Sequence, residues 1–245
     1  MDTDLTPIYQ RVKDAKILER FQAFLAPLML PEPLLLRFQD CDGDANAWYK
    51  EGSVTICYEY LAEQLENAPR RKTVAGVTPQ DAFIGPGVEV VLHEVGHAVF
   101  HMLDIPIFGR AEDAADQFAS FILIRMGNEE ARRTIGGTAL MYVRDAKEEK
   151  QAAKKESRGM KAFSNEHGIA AQRFYNILCL AYGAYPDVFQ DVVDKGYLPK
   201  GRSARCAKEY RQVTNAFDRL IRPHLDKAML EEVRHRQWLA PASSN

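Results

Sequence analysis

The segment LHEVGHAVFH, residues 92–101, carries three histidines at i, i+4 and i+8 around one glutamate. On a helix, His93 and His97 stand one turn apart on one face, so their imidazoles can meet at a single ion. Neutral imidazoles at that spacing suit Zn²⁺, which in catalytic sites takes three protein ligands and keeps one position open for water. Glu94 is rotated to the flank, where it can take a proton from an activated water and pass it to a leaving amine. Gly96 has no side chain, which lets another backbone or a substrate come close. His101 lies about 12 Å along the axis from His93 and is turned by about 80°. It therefore flanks the site and does not complete it. Taken alone, the pentapeptide also fits a buried, hydrogen-bonded histidine pair.

The missing ligand has a candidate in the next helical stretch, RAEDAADQFASFILIRM at 110–126. Glu112 and Asp116 sit at i and i+4 among Ala, Phe, Ile and Leu, and acids on such a face need partners when buried. Glu112 completes a His, His, Glu shell. Asp116, one turn on, can accept the other ring N–H of a ligand histidine and so fix its tautomer. Asp113 shares with Glu112 the simpler role of an acid favoured by a helix N-terminus. The turn DIPIFG at 104–109 lets the two helices lie side by side. Peptide hydrolysis also needs a donor for the developing oxyanion, and the candidates are His167 and Tyr175, with Arg173 available to hold an acid.

These residues need a frame. Residues 8–26 space apolar side chains at helical period before three prolines, and 34–41 reads as a strand. Residues 45–60 read as a hairpin turning near Glu51–Gly52. If 53–58 formed an exposed edge, a peptide substrate could add to it. A short helix follows to Glu66, then a loop to Thr78. Thr78–Pro79 caps a new helix, Gly85–Pro86–Gly87 interrupts it, and 88–103 resumes. Residues 144–161 are a charge run with no apolar face, a solvated helix or mobile segment. Helices at 170–185 and 207–220 complete a core of about 8–223, and 224–245 form a C-terminal extension. No repeat or linker divides the chain, so 1–245 is read as one α+β domain, mostly helical, with a small sheet beside the metal helix.

Apolar residues at 46% and charged residues at 27% suit a globular protein. A net charge of −2 speaks against a nucleic-acid binder that relies on a basic face. The most apolar run, 21–38, is broken by prolines and Glu32, so no membrane span is expected. The first residues show no apolar leader. This implies a cytoplasmic protein if the chain is complete, and a periplasmic or secreted one if a leader has been trimmed. The four cysteines lack CxxC spacing and fall into two local pairs, 41/57 and 179/206. They suit either two disulfides in an oxidising compartment or four buried thiols. Oligomeric state is not legible.

HEVGH followed by EDAAD resembles the gluzincin arrangement, HExxH with a downstream ExxxD, at a shorter separation than in thermolysin-like enzymes. From about Leu34 to Pro223 the chain is more specifically similar to a bacterial metallopeptidase-like family, domain of unknown function 4344. The likeness is carried by CDGDANAWY, TICYEYL, both metal motifs, EHGIAAQRFYNILCLAYG and RSARCAKEY. It implies a zincin-like fold and a zinc-dependent hydrolase of peptides or proteins, with His93, His97 and Glu112 as ligands. A zinc-stabilised, non-catalytic binding or regulatory domain is the alternative, and a metal-free helical interaction protein a further one.

Overall fold

The computed structural model describes residues 4–156 and 164–239. The N-terminal periodicity is divided between two helices, α1 (Thr6–Asp14) and α2 (Ile17–Leu25), not one. Between them Lys16 takes a left-handed conformation, φ 50°. The break lets α1 bury Ile8 and Val12 with Leu61, while α2 buries Phe21 with Val54, Ile56 and Val91 in a separate cluster.

Three strands follow: β1 (Leu35–Gln39), β2 (Ala47–Lys50) and β3 (Ser53–Cys57). Their order is β1-β3-β2, with β3 parallel to β1 and antiparallel to β2. The hairpin turns through Glu51 and Gly52, both at positive φ (47° and 78°), as the two central residues of a type I′ turn must be. The expected exposed edge at 53–58 is corrected here. Pairing with β1 places β3 in the middle of the sheet, buried along its whole length, and the edge strand packed against the helix that carries HEVGH is β2.

Helix α3 (Tyr58–Glu66) leads to α4 (Pro79–Met102), which opens on a capping box between Thr78 and Asp81. The expected interruption at 85–87 does not occur; α4 runs through Pro86. An internal proline costs a helix about 3 kcal/mol, and packing offsets it. At Gly85 and Gly137 the backbone of α4 meets that of α6 (Asn128–Glu156). Added β-carbons there would stand 2.5 Å and 1.9 Å from opposing carbonyl oxygens, so only glycines allow the contact.

Helix α5 (Ala111–Ile124) packs against α4 after the 104–110 turn. The charge run is helical as the last part of α6 up to Glu156; its remainder, 157–161, lies outside the described residues. The chain continues through α7 (Ala170–Ala184), α8 (Pro186–Asp194), the short α9 (Lys200–Ser203), α10 (Cys206–Leu220) and α11 (Lys227–Arg234). The main core gathers Leu92 of α4, Leu123 of α5, Ile135 of α6, Leu180 of α7 and Phe189 of α8. Both cysteine pairs are disulfides: Cys41–Cys57 ties the end of β1 to the end of β3, and Cys179–Cys206 ties α7 to α10. The C-terminal extension docks: the Trp238 and Leu239 amides donate to buried Glu130, and Trp238 packs edge-on against Phe24. Among the described residues no helix is long and apolar enough to cross a membrane.

Candidate metal centre and cleft

Gly96 explains how two helices come to share a site. The close approach that it permits is made by α5: a β-carbon at Gly96 would lie 3.1 Å from the Phe118 ring and 3.3 Å from the Ala115 backbone. The EDAAD face of α5 is thereby brought against the HEVGH face of α4. His93 Nε2 stands 3.2 Å from His97 Nε2 and 3.0 Å from Glu112 Oε2, and His97 Nε2 is 3.4 Å from the same oxygen. Bonds of about 2.0–2.1 Å to a tetrahedral ion would put its ligand atoms about 3.3 Å apart, so the donor set and its spacing fit Zn²⁺. Two imidazole nitrogens and a carboxylate so close suit a shared cation.

Burial opposes charge on His93, but contacts with Asp116 and Glu112 outweigh it and raise its pKa to about 10. Glu112 is held well below the usual carboxylate range by His167, His93 and His97. Glu94, buried beside the pair, is shifted upward by desolvation against the pull of both histidines. A carboxylate so raised is suited to taking up and returning a proton.

Behind His93 lies a chain of polar contacts. His93 Nδ1 is 2.9 Å from Asp116 Oδ1, as expected for its orienting role. Arg173 clamps Asp116 with two bonds, Nε to Oδ2 at 2.7 Å and Nη2 to Oδ1 at 2.6 Å. Its guanidinium lies over the Tyr142 ring and 3.7 Å from Glu89. Tyr142 donates to Glu89 at 2.8 Å. Desolvation pushes the Glu89 carboxyl upward despite Arg173, whereas the bonds from His93 and Arg173 lower Asp116 against its burial. Sequence reasoning missed Glu89 and Tyr142. Glu89 had a signal: it is the acid at i−4 from His93 on an otherwise apolar helix.

The site opens into a cleft of about 850 Å³. Ala47, Trp48 and Tyr49 of edge strand β2 line one wall, and Phe100, Ile105 and Ile107 add an apolar stretch. The structure brings together His93, Glu94, His97, Glu112, Asp116, Arg173 and His167, whose Nε2 is 2.7 Å from Glu112 Oε2. Two candidates stand outside. Tyr175 does not line the cleft; its ring packs on Phe174 and is partly exposed. Asp113 pairs with Arg110 on the surface. His101 is bound away from the cluster, its Nδ1 2.9 Å from the Tyr49 hydroxyl.

Comparison with known families gives a match over residues 1–221, to a model described as "Putative metallopeptidase". The chain belongs to that family. Membership implies a metal and a peptide or protein substrate, and the match begins well before Leu34, where the motif-based likeness starts. No curated protein and no solved structure matches the chain.

Proposed function

We propose that this member of the family is a zinc-dependent peptidase with a zincin-like site. His93, His97 and Glu112 hold the ion. When bound, Zn²⁺ supplies a Lewis acid that polarises the scissile carbonyl and acidifies the attacking water. Glu94 takes the proton of that water and returns it to the amine nitrogen as the peptide bond breaks. Asp116 receives Nδ1–H of His93, which leaves Nε2 with its lone pair toward the metal. Arg173 balances the charge of Asp116 and keeps its carboxylate from turning away. His167, at the cleft, is the donor available to the oxyanion. An extended substrate adds to β2, whose outer edge is unpaired among the described residues. The two disulfides support an oxidising compartment as the place of action.

The observation that carries this reading is the convergence of three ligand atoms from two helices, with a buried carboxylate beside them. The test is Glu94→Gln assayed against a diverse peptide library. Turnover should fall by the roughly 10²–10⁴-fold that a lost proton-transfer group costs, with zinc and fold retained. Equal cleavage by both proteins would overturn it. One observation favours the alternative, a zinc-stabilised domain without turnover: His167 reaches the same carboxylate oxygen as the two ligand histidines.

A further inference from the structure

That contact has a more specific meaning. We propose that His167 is a fourth ligand of the same ion, closing the shell in the resting protein and leaving it when substrate enters. The inference rests on the zinc site proposed above. His167 Nε2 lies 2.7 Å from Glu112 Oε2, the oxygen that also meets His93 and His97. Its ring lies nearly parallel to that of His93, 24° between planes and 5.8 Å between centroids. His93, Glu112 and His167 each offer a ligand atom, all within 4.8 Å of one another. With His97 they make three imidazole nitrogens and one carboxylate oxygen. Four protein ligands are the full tetrahedral complement of a closed zinc site, whereas hydrolysis needs one position free.

Of the four, His167 is the one built to leave. His93 and His97 are fixed on α4 and Glu112 on α5, each with a side chain at least four-fifths buried. The His167 side chain is 46% exposed, on the short segment ahead of α7. That segment is held by polar contacts that water can replace. The His167 amide donates to Asn165 Oδ1, and the Ala170 amide donates to the Glu149 carboxylate. A β-carbon at Gly168 would touch the Arg110–Asp113 ion pair at 3.5 Å. Opening exchanges one neutral imidazole for one neutral water, so the charge of the shell does not change. The released imidazole remains at the cleft mouth, where its N–H can face the oxyanion.

X-ray absorption spectroscopy of the full chain loaded with zinc counts the imidazoles directly. The wild type without substrate should show three, and His167→Ala two. Zinc affinity of the variant should fall by at least the roughly 10–100-fold that loss of an orienting partner costs. Two imidazoles in the wild type, unchanged in His167→Ala with zinc held equally well, would overturn the fourth ligand and leave the zinc site standing. Absence of bound zinc from the wild type would overturn both readings. The wild-type spectrum decides the matter even if the variant folds poorly.

Discussion

His93 is gripped from both ends of its ring, by Asp116 at Nδ1 and by Glu112 at Nε2. Each grip favours a positive charge, a proton in the metal-free protein or, under the proposal, zinc in the loaded one. The two forms must therefore respond differently to pH. The pKa of His93 rises from the ordinary histidine value of 6.5 to about 10 on folding. Its proton thus stabilises the metal-free fold fully below about pH 6.5, and this contribution disappears as pH climbs through about 10. Scanning calorimetry of chelator-treated protein should show Tm declining across that interval, while zinc-loaded protein, with no proton at Nε2 to lose, declines less. Parallel curves would show that His93 is not the group whose charge the site was built to hold. Arg173 answers a separate excess of charge, because Asp116 and Glu89 both face it and His93 alone does not offset the two. Asp116 and Glu89 without a guanidinium would be uncompensated, a loss that costs about 3–5 kcal/mol for a broken buried pair.

At the level of helices and strands, the site depends on close backbone approaches more than on side-chain bulk. Gly96 admits α5 to α4, and Gly85 with Gly137 admits α6. Gly137→Ala would place a methyl group 1.9 Å from the Asp81 carbonyl oxygen, too close for any rotamer change to relieve. The helices must separate there, near the buried Asp81–Arg133 pair. Overpacking of this kind costs about 1–3 kcal/mol, occasionally more, so thermal unfolding should show a lower Tm; an unchanged Tm would contradict the packing described. These elements also mark where sequence sufficed. HEVGH and EDAAD were legible because i, i+4 spacing on a helix translates directly into one face, and the Glu51–Gly52 turn because few residues accept positive φ. Three features were not. The break at Lys16 depends on which apolar clusters α1 and α2 reach, and the unbroken α4 on a partner helix 50 residues away. The central place of β3 depends on parallel pairing with β1, which alternation along a strand does not encode. His167 and Arg173 were candidates by type, but only the fold shows that one meets Glu112 and the other Asp116.

Over the whole molecule, composition is ordinary and the charge is −2, and the candidate site lies in one cleft. Strand β2 walls it, α4 and α5 floor it, and the segment before α7 reaches Glu112. Two disulfides pin the periphery of this frame, one at the sheet and one between α7 and α10. The docked C-terminal residues cover α2 on another side. Cysteine spacing foretold the pairing without deciding between disulfide and thiol. The fold brings each pair to bridging distance, with Cα atoms 5.6 and 4.9 Å apart. All of these parts serve a single claim, that α4 and α5 together hold zinc through His93, His97 and Glu112. The most direct measurement is the zinc content of purified wild type and of His97→Ala after equal exposure to the metal and to a weak chelator. Stoichiometric zinc in the wild type, with little or none in the variant, is the expected result. Zinc missing from the wild type, or held equally by His97→Ala, would contradict it.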